Sequence, residues 1–190
     1  MLPAPAVLSR QPLAAIVCLV LLCGAAYGGT FPGAPGEVEA YLAARERREP
    51  GITPGAERAV RWAGGEPGRT PLALVYLHGY SATRQEVFPL VERVGDALGA
   101  NQFFTRLTGH GRDGAAMLEG SVAAWQQDTL EALAIGRAIG ERVVLLSTST
   151  GGTLSTWAAS RSHDDSLAAL VMISPNFAPR DRTLYLLDWP

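Results

Sequence analysis

The sequence predicts an open, mostly parallel α/β sheet with helices on both faces, and three observations carry that prediction. Short aliphatic runs at 72–77, 102–107, 142–146 and 167–173 take turns with segments of helical periodicity at 86–98, 122–139 and 152–160. Such alternation specifies parallel strands joined by right-handed helical crossovers. At 190 residues with 47% apolar content, the chain has the material for one substantial core.

The elements read in order as follows. Residues 13–29 carry no charge, and 13–22 are almost wholly aliphatic, preceded by Arg10 and followed by the small residues Gly24, Ala25 and Ala26. That is the layout of an export signal. Its length also approaches the ~17–25 residues that span a bilayer, so an uncleaved membrane anchor fits equally. Lipid attachment at Cys23 ranks third, because Leu21 and Leu22 before it are bulkier than the small residues of such processing sites. In each case the expected location is exported or membrane-anchored, on the cell-envelope side. Residues 1–29 are thus read as signal or anchor, 30–57 as linker and short helix, and 58–190 as the α/β domain.

Within 37–49, Val38, Tyr41 and Leu42 share one face with charges elsewhere, predicting a short amphipathic helix closed by Pro50 and Pro54. Residues 58–63 alternate, with Val60 and Trp62 on one side, and a Gly/Pro-rich turn at 64–71 leads into 72–77, a strand buried on both faces. Ser121 is placed to cap the helix at 122–139. The run at 167–173 reads as another buried strand. Trp125, at helical spacing from Thr129 and Leu133, reads as packing, and Asp96 and Asp128 are expected to be solvated.

Charge and cysteine content exclude several classes. Sixteen basic residues against eighteen acidic give a net charge of −2, with no basic run beyond Arg45, Arg47 and Arg48, so no nucleic-acid partner is expected. All the basic residues are arginine, which codon usage in a GC-rich genome explains more simply than selection for ion pairing. Both cysteines, Cys18 and Cys23, lie in the apolar segment, leaving the rest of the chain no thiol for a disulfide, a zinc site or a nucleophile. Gly151-Gly152 lacks the following lysine and the spacing of a phosphate loop, and neither a cofactor nor a metal is expected.

The chemistry-bearing residues fall where strands give way to the next element, at the sheet edge where open α/β sheets gather their reactive groups. Ser147-Thr148-Ser149-Thr150-Gly151 joins the strand at 142–146 to the helix at 152–160. A hydroxyl presented on so sharp a turn needs small residues two positions away on each side, and Ser147 and Gly151 are both small. The helix start adds free amides and a positive dipole end. That geometry favours Ser149 over Ser147 as nucleophile. Taken alone, the segment is equally an ordinary Ser/Thr-rich helix cap. His78-Gly79-Tyr80 ends the earlier strand where a second oxyanion donor is needed, and Gly79 permits a tight turn and close approach to a ligand. The backbone amides of Tyr80 and Thr150 are the expected donors. His78 is read as a turn residue that hydrogen-bonds the loop, and His110, between Gly109 and Gly111, as a turn former or a residue lining a substrate mouth.

Leu77-His78-Gly79-Tyr80, then Arg106-Leu-Thr-Gly-His110-Gly111, then the Ser149 elbow occur in an order and spacing that resemble the alpha/beta-hydrolase superfamily. Within it they resemble the branch of serine aminopeptidase-like and monoacylglycerol-lipase-like proteins. The likeness covers about residues 58–175, with Ser147 standing where that family has the first elbow glycine. It implies a serine hydrolase acting on a carboxylic ester or related acyl bond of a small-molecule substrate, with Ser149 as nucleophile. In that family the order is serine, acid, histidine. Here the sole histidine after Ser149 is His163, no Asp or Glu lies between them, and Asp164, Asp165, Asp181 and Asp188 have no histidine downstream. The expectation is a hydrolase domain incomplete at its C-terminus, with the acid and histidine encoded beyond residue 190, and a poorly stable or aggregation-prone isolated chain. Two alternatives stand beside it: a non-catalytic, membrane-tethered binding module, and a peptide-cleaving, aminopeptidase-like enzyme.

Overall fold

The structure is a computed structural model, and it describes residues 33–162 and 165–178. The apolar segment with Cys18 and Cys23, together with His163, Asp164, Asp181 and Asp188, lies outside the described residues. The strands are β1 (Ala59–Arg61), β2 (Thr70–Leu77), β3 (Asn101–Phe104), β4 (Gly140–Thr148) and β5 (Leu167–Ile173). They form one sheet in the order β1-β3-β2-β4-β5, with β1 antiparallel to β3 and every other pair parallel. The helices are α1 (Pro35–Glu46), α2 (Leu90–Leu98), α3 (Val122–Ile139) and α4 (Thr150–Ala159). Among the described residues no helix is long and apolar enough to cross a membrane.

Side-chain alternation along the central strand sorts the helices into two layers. Ala73, Val75 and Leu77 point to the face where α1, α3 and α4 contribute Val38, Leu42, Ala132, Leu133, Ile135 and Leu154. Tyr76 points to the other face, where it meets Val91 of α2, Phe104 and Leu146. Residues 73–77 are each at most 1% exposed, which is why this stretch reads as continuous rather than alternating hydrophobicity. Burying a Val or Leu side chain to this degree stabilises the fold by about 2 kcal/mol.

Several boundaries differ from expectation for identifiable reasons. The helix read over 86–98 begins only at Leu90, because a 3-10 turn (Arg84–Val87) comes first and Pro89 stands at the helix N-cap. α3 matches the expected 122–139, with the Ser121 hydroxyl accepting from the Ala124 amide at 3.1 Å. β5 is a half-exposed strand rather than a buried one: among the described residues it pairs with β4 alone, and Val171 and Met172 are 47% and 37% exposed.

Asp128 corrects the expectation of a solvated carboxylate. It is buried on α3, where its Oδ2 accepts from the Thr108 amide at 2.6 Å and its Oδ1 lies 3.6 Å from both Arg58 and Arg45. These groups belong to a larger charged cluster. Arg106 reaches Glu46 at 3.1 Å and Glu49 at 3.0 Å, Arg58 reaches the same two acids at 2.8 and 3.2 Å, and Tyr41 donates to Glu131. Guanidinium groups suit this work because their forked donors engage several carboxylates at once. Through them α1 is tied to β1, to α3 and to the segment after β3. Asp96 is exposed as expected and pairs with Arg61.

Candidate active site

The turn from β4 into α4 is built around a strained serine. Ser149 has φ 48° and ψ −114°, a left-handed conformation that costs a non-glycine residue roughly 1–3 kcal/mol and persists only where its surroundings hold it. Here they do so through the backbone. The Ser149 amide donates to the Ile173 carbonyl at 3.0 Å, and the Ser149 carbonyl accepts from the amides of Gly152 at 2.9 Å and Asn176 at 3.1 Å. Asn176 is braced in turn, its carbonyl accepting from the Thr153 hydroxyl at 2.7 Å. Sequence patterning assigns Asn176 no role; its contribution is a backbone amide after β5, which leaves no side-chain signal.

The small residues at the elbow answer to measurable crowding. A Cβ on Gly151 would lie 2.2 Å from the Leu77 carbonyl oxygen and 2.8 Å from that of His78, so the chain leaving β2 passes directly over the start of α4. A Cβ on Gly79 would lie 3.4 Å from Ser149 Cβ. Ser147, in place of the resembled family's glycine, is fully buried in the sheet opposite Leu77 and Met172, with its hydroxyl 3.5 Å from the Val171 carbonyl oxygen. Its extra atoms are accommodated within the strand.

Two backbone amides belong to the segments that meet at Ser149. That of Thr150 opens α4, where the first turn of a helix leaves its N–H groups without intrahelical acceptors. That of Tyr80 follows Gly79 in the loop that touches the elbow. The Tyr80 side chain is 59% exposed.

His78 has both ring nitrogens engaged in the loop. Nε2 accepts from the Leu107 amide at 3.0 Å, so the proton sits on Nδ1, which donates to the Gly79 carbonyl at 2.8 Å. Burial pushes its pKa down to about 3, keeping it neutral. The residue therefore ties the segment after β2 to the segment after β3 and is not available as a base. His110 sits between Gly109 and Gly111, which have φ 85° and 68°, and its amide donates to the Leu107 carbonyl at 2.9 Å, closing the turn. His110 is only 1% exposed, its ring packed edge-on beneath Tyr80 at 5.9 Å and against Trp125 at 5.6 Å, and burial lowers its pKa. The surface above the turn is presented by Tyr80 instead. Trp125 packs as expected and donates to the Thr108 carbonyl at 2.9 Å.

The described residues thus bring Ser149, Thr150, Gly151, His78, Gly79 and Tyr80 together at one edge of the sheet, where β2 and β4 end. β2 and β4 run parallel, but the strand that follows β2 in sequence, β3, lies on its other side, so the order of connection switches between β2 and β4, the crevice position where open α/β sheets take ligands. Neither His78 nor His110 hydrogen-bonds the Ser149 hydroxyl, which by itself is a weak nucleophile. Among the described residues no group of three His, Cys, Asp or Glu side chains is placed to hold a metal ion.

No protein-family model matches the chain, and no curated protein does. Solved structures do. One comes from a study of the metagenome-derived lipolytic enzymes LipS and LipT, with 24% identity and a TM-score of 0.62 over 73% of this chain and 53% of that one. Another is Est1E from Butyrivibrio proteoclasticus with ferulic acid bound, at 18% identity and a TM-score of 0.51 over 63% of this chain and 48% of that one. The chain spans about half the length of these two structures.

Proposed function

Starting from the alpha/beta-hydrolase fold that the chain shares with those enzymes, we propose that it carries the nucleophile and oxyanion hole of a serine hydrolase acting on small carboxylic esters. The observation that carries this reading is Ser149 in a positive-φ turn between a strand and a helix start, with the Tyr80 loop packed against it. An unreactive helix cap does not need that conformation: ordinary N-cap serines, Ser121 among them, are extended. In the proposed reaction the Ser149 hydroxyl attacks the ester carbonyl and loses its proton to a base. The carbonyl oxygen, now negative, is held by the Thr150 and Tyr80 amides, and the alcohol leaves as the acyl-serine forms. Water then attacks the acyl-serine and releases the acid. The base and its orienting acid are assigned to no described residue, since both described histidines, His78 and His110, have their ring Nδ1 turned to backbone carbonyls.

Incubation with a fluorophosphonate probe, followed by peptide mass spectrometry, tests the reading. The protein, expressed from its complete reading frame, is expected to be modified at Ser149 and to hydrolyse p-nitrophenyl esters, with both properties lost in Ser149→Ala. A well-folded protein that neither labels nor hydrolyses would point to a hydrolase-like binding module. Cleavage of peptides in preference to esters would move the reading to the aminopeptidase-like class. We further propose that the uncharged run at 13–29 exports or anchors the domain. Recovery of the protein solely from the cytosol in cell fractionation would overturn that.

A further inference from the structure

Glu86 stands on the 3-10 turn between β2 and α2 and is exposed along much of its length, yet its Oε1 accepts two hydrogen bonds directed inward. One comes from the Gly79 amide at 2.6 Å, the other from the Tyr76 hydroxyl at 2.7 Å. That hydroxyl also lies 2.9 Å from Thr148 Oγ1. A single carboxylate oxygen therefore joins the residue before Tyr80 to the residue before Ser149. Backbone amides bound to a carboxylate make shorter and stronger hydrogen bonds than those bound to neutral acceptors.

The consequence is clearest at Gly79, whose backbone torsions would otherwise be the freest in the loop. The peptide group before it is held by Glu86 through the Gly79 N–H. The peptide group after it contains the Tyr80 N–H and is held on its carbonyl side, by His78 Nδ1 at 2.8 Å and the Ala82 amide at 3.3 Å. Because each peptide group is planar, pinning both fixes the direction of the Tyr80 N–H. A Cβ on Gly79 would come within 3.2 Å of Glu86 Oε2, so the glycine also lets the carboxylate draw close.

We infer that Glu86 is a positioning residue for the oxyanion hole, its carboxylate fixing the Tyr80 amide relative to the Thr150 amide by anchoring Gly79 and, through Tyr76, Thr148. The inference rests on the hydrolase reading above. Oxyanion donors act only within about 2.7–3.1 Å of the developing charge, so loosening one lowers turnover more than it weakens substrate binding.

The test compares Glu86→Ala with Glu86→Gln in the full protein, using a p-nitrophenyl ester and a trifluoromethyl ketone that forms a tetrahedral adduct with the serine. Glu86→Ala is expected to lower kcat about tenfold, with KM within about twofold, and to weaken the ketone by the same factor as kcat/KM. Glu86→Gln keeps an acceptor oxygen for Gly79 and should recover most of the loss, which a charge effect or general destabilisation would not permit. An unchanged kcat in Glu86→Ala, or a rise in KM alone, overturns the inference. A readout independent of turnover is the Gly79 amide proton in nuclear magnetic resonance spectra. It should move upfield in Glu86→Ala, with faster exchange at Tyr80, and if it stays in place the inference falls while the hydrolase reading stands. Absence of Ser149 labelling in the unmodified protein defeats the hydrolase reading and, with it, the catalytic consequence of the Glu86 anchor.

Discussion

Ser149 contributes a side chain to the proposed chemistry, whereas Tyr80 and Thr150 contribute backbone, and substitutions should separate the two kinds of role. Tyr80→Ala and Thr150→Ala are expected to keep most of the ester-hydrolysing activity that Ser149→Ala abolishes, as steady-state assays on the three variants would show. Gly151→Ala should behave as a folding defect instead. Its Cβ would stand 2.2 Å from a backbone oxygen that cannot rotate away, so a loss of about 3 kcal/mol is expected in urea denaturation. His78 sets a pH dependence of stability. Folded, its pKa is pushed down to about 3 by burial, while the unfolded chain binds that proton below about 6.5. Between those values the unfolded state holds more protons, so this contribution is fully present above about pH 6.5 and is lost as pH falls through the window. The expected slope is about 1.4 kcal/mol per pH unit, with the imidazole still neutral at about pH 5 by nitrogen chemical shift. Ser149, Gly79 and Gly151 are legible in the sequence because a strained turn and the loop packed on it restrict which residue types fit. Glu86 is not, because its partners Tyr76 and Gly79 come together only once β2, the loop and the 3-10 turn have folded.

At the scale of elements, periodicity identifies each of the five strands and four α-helices among the described residues, and the misreading of Asp128 has a cause of its own. Spacing reports which face of an element is apolar, and it is silent about charged side chains that find partners across the fold. Asp128 lies on α3 in a pattern indistinguishable from that of a solvated residue, yet Arg58, Arg45 and the Thr108 amide surround it. Asp128→Ala would leave Arg58 short of a counter-charge and the Thr108 amide unpaired. The expected cost is about 3–5 kcal/mol by chemical denaturation, far above that of an exposed helix substitution such as Asp96→Ala. Glu49 reports on the same cluster. Burial works to raise its pKa, but Arg58 and Arg106 outweigh it and hold the carboxyl below the usual range, so this support is lost in acid as the carboxyl protonates.

For the molecule as a whole, the cluster makes α1 part of the domain rather than a linker appendage. The segment at 30–57 reads in sequence as linker and short helix, which is right for the helix but understates its work. Arg106 has no exposed side-chain surface and takes its counter-charges from Glu46 and Glu49, at the end of α1 and just beyond it. A variant beginning after residue 49 is therefore expected to be insoluble, or to show poor chemical-shift dispersion, even though it keeps every residue of the proposed site. The sheet order has a further consequence, one of time. Every β2–β4 partner pair, from Thr70↔Gly140 to Leu77↔Ser147, joins positions seventy residues apart, while each helix needs only its neighbours. Contacts of such long sequence separation are slow to form because a large loop must close first. On refolding from denaturant, the helical circular dichroism signal should return well before the protein regains reactivity toward the fluorophosphonate, since Ser149 is thrust into its turn only after β4 has zipped along β2.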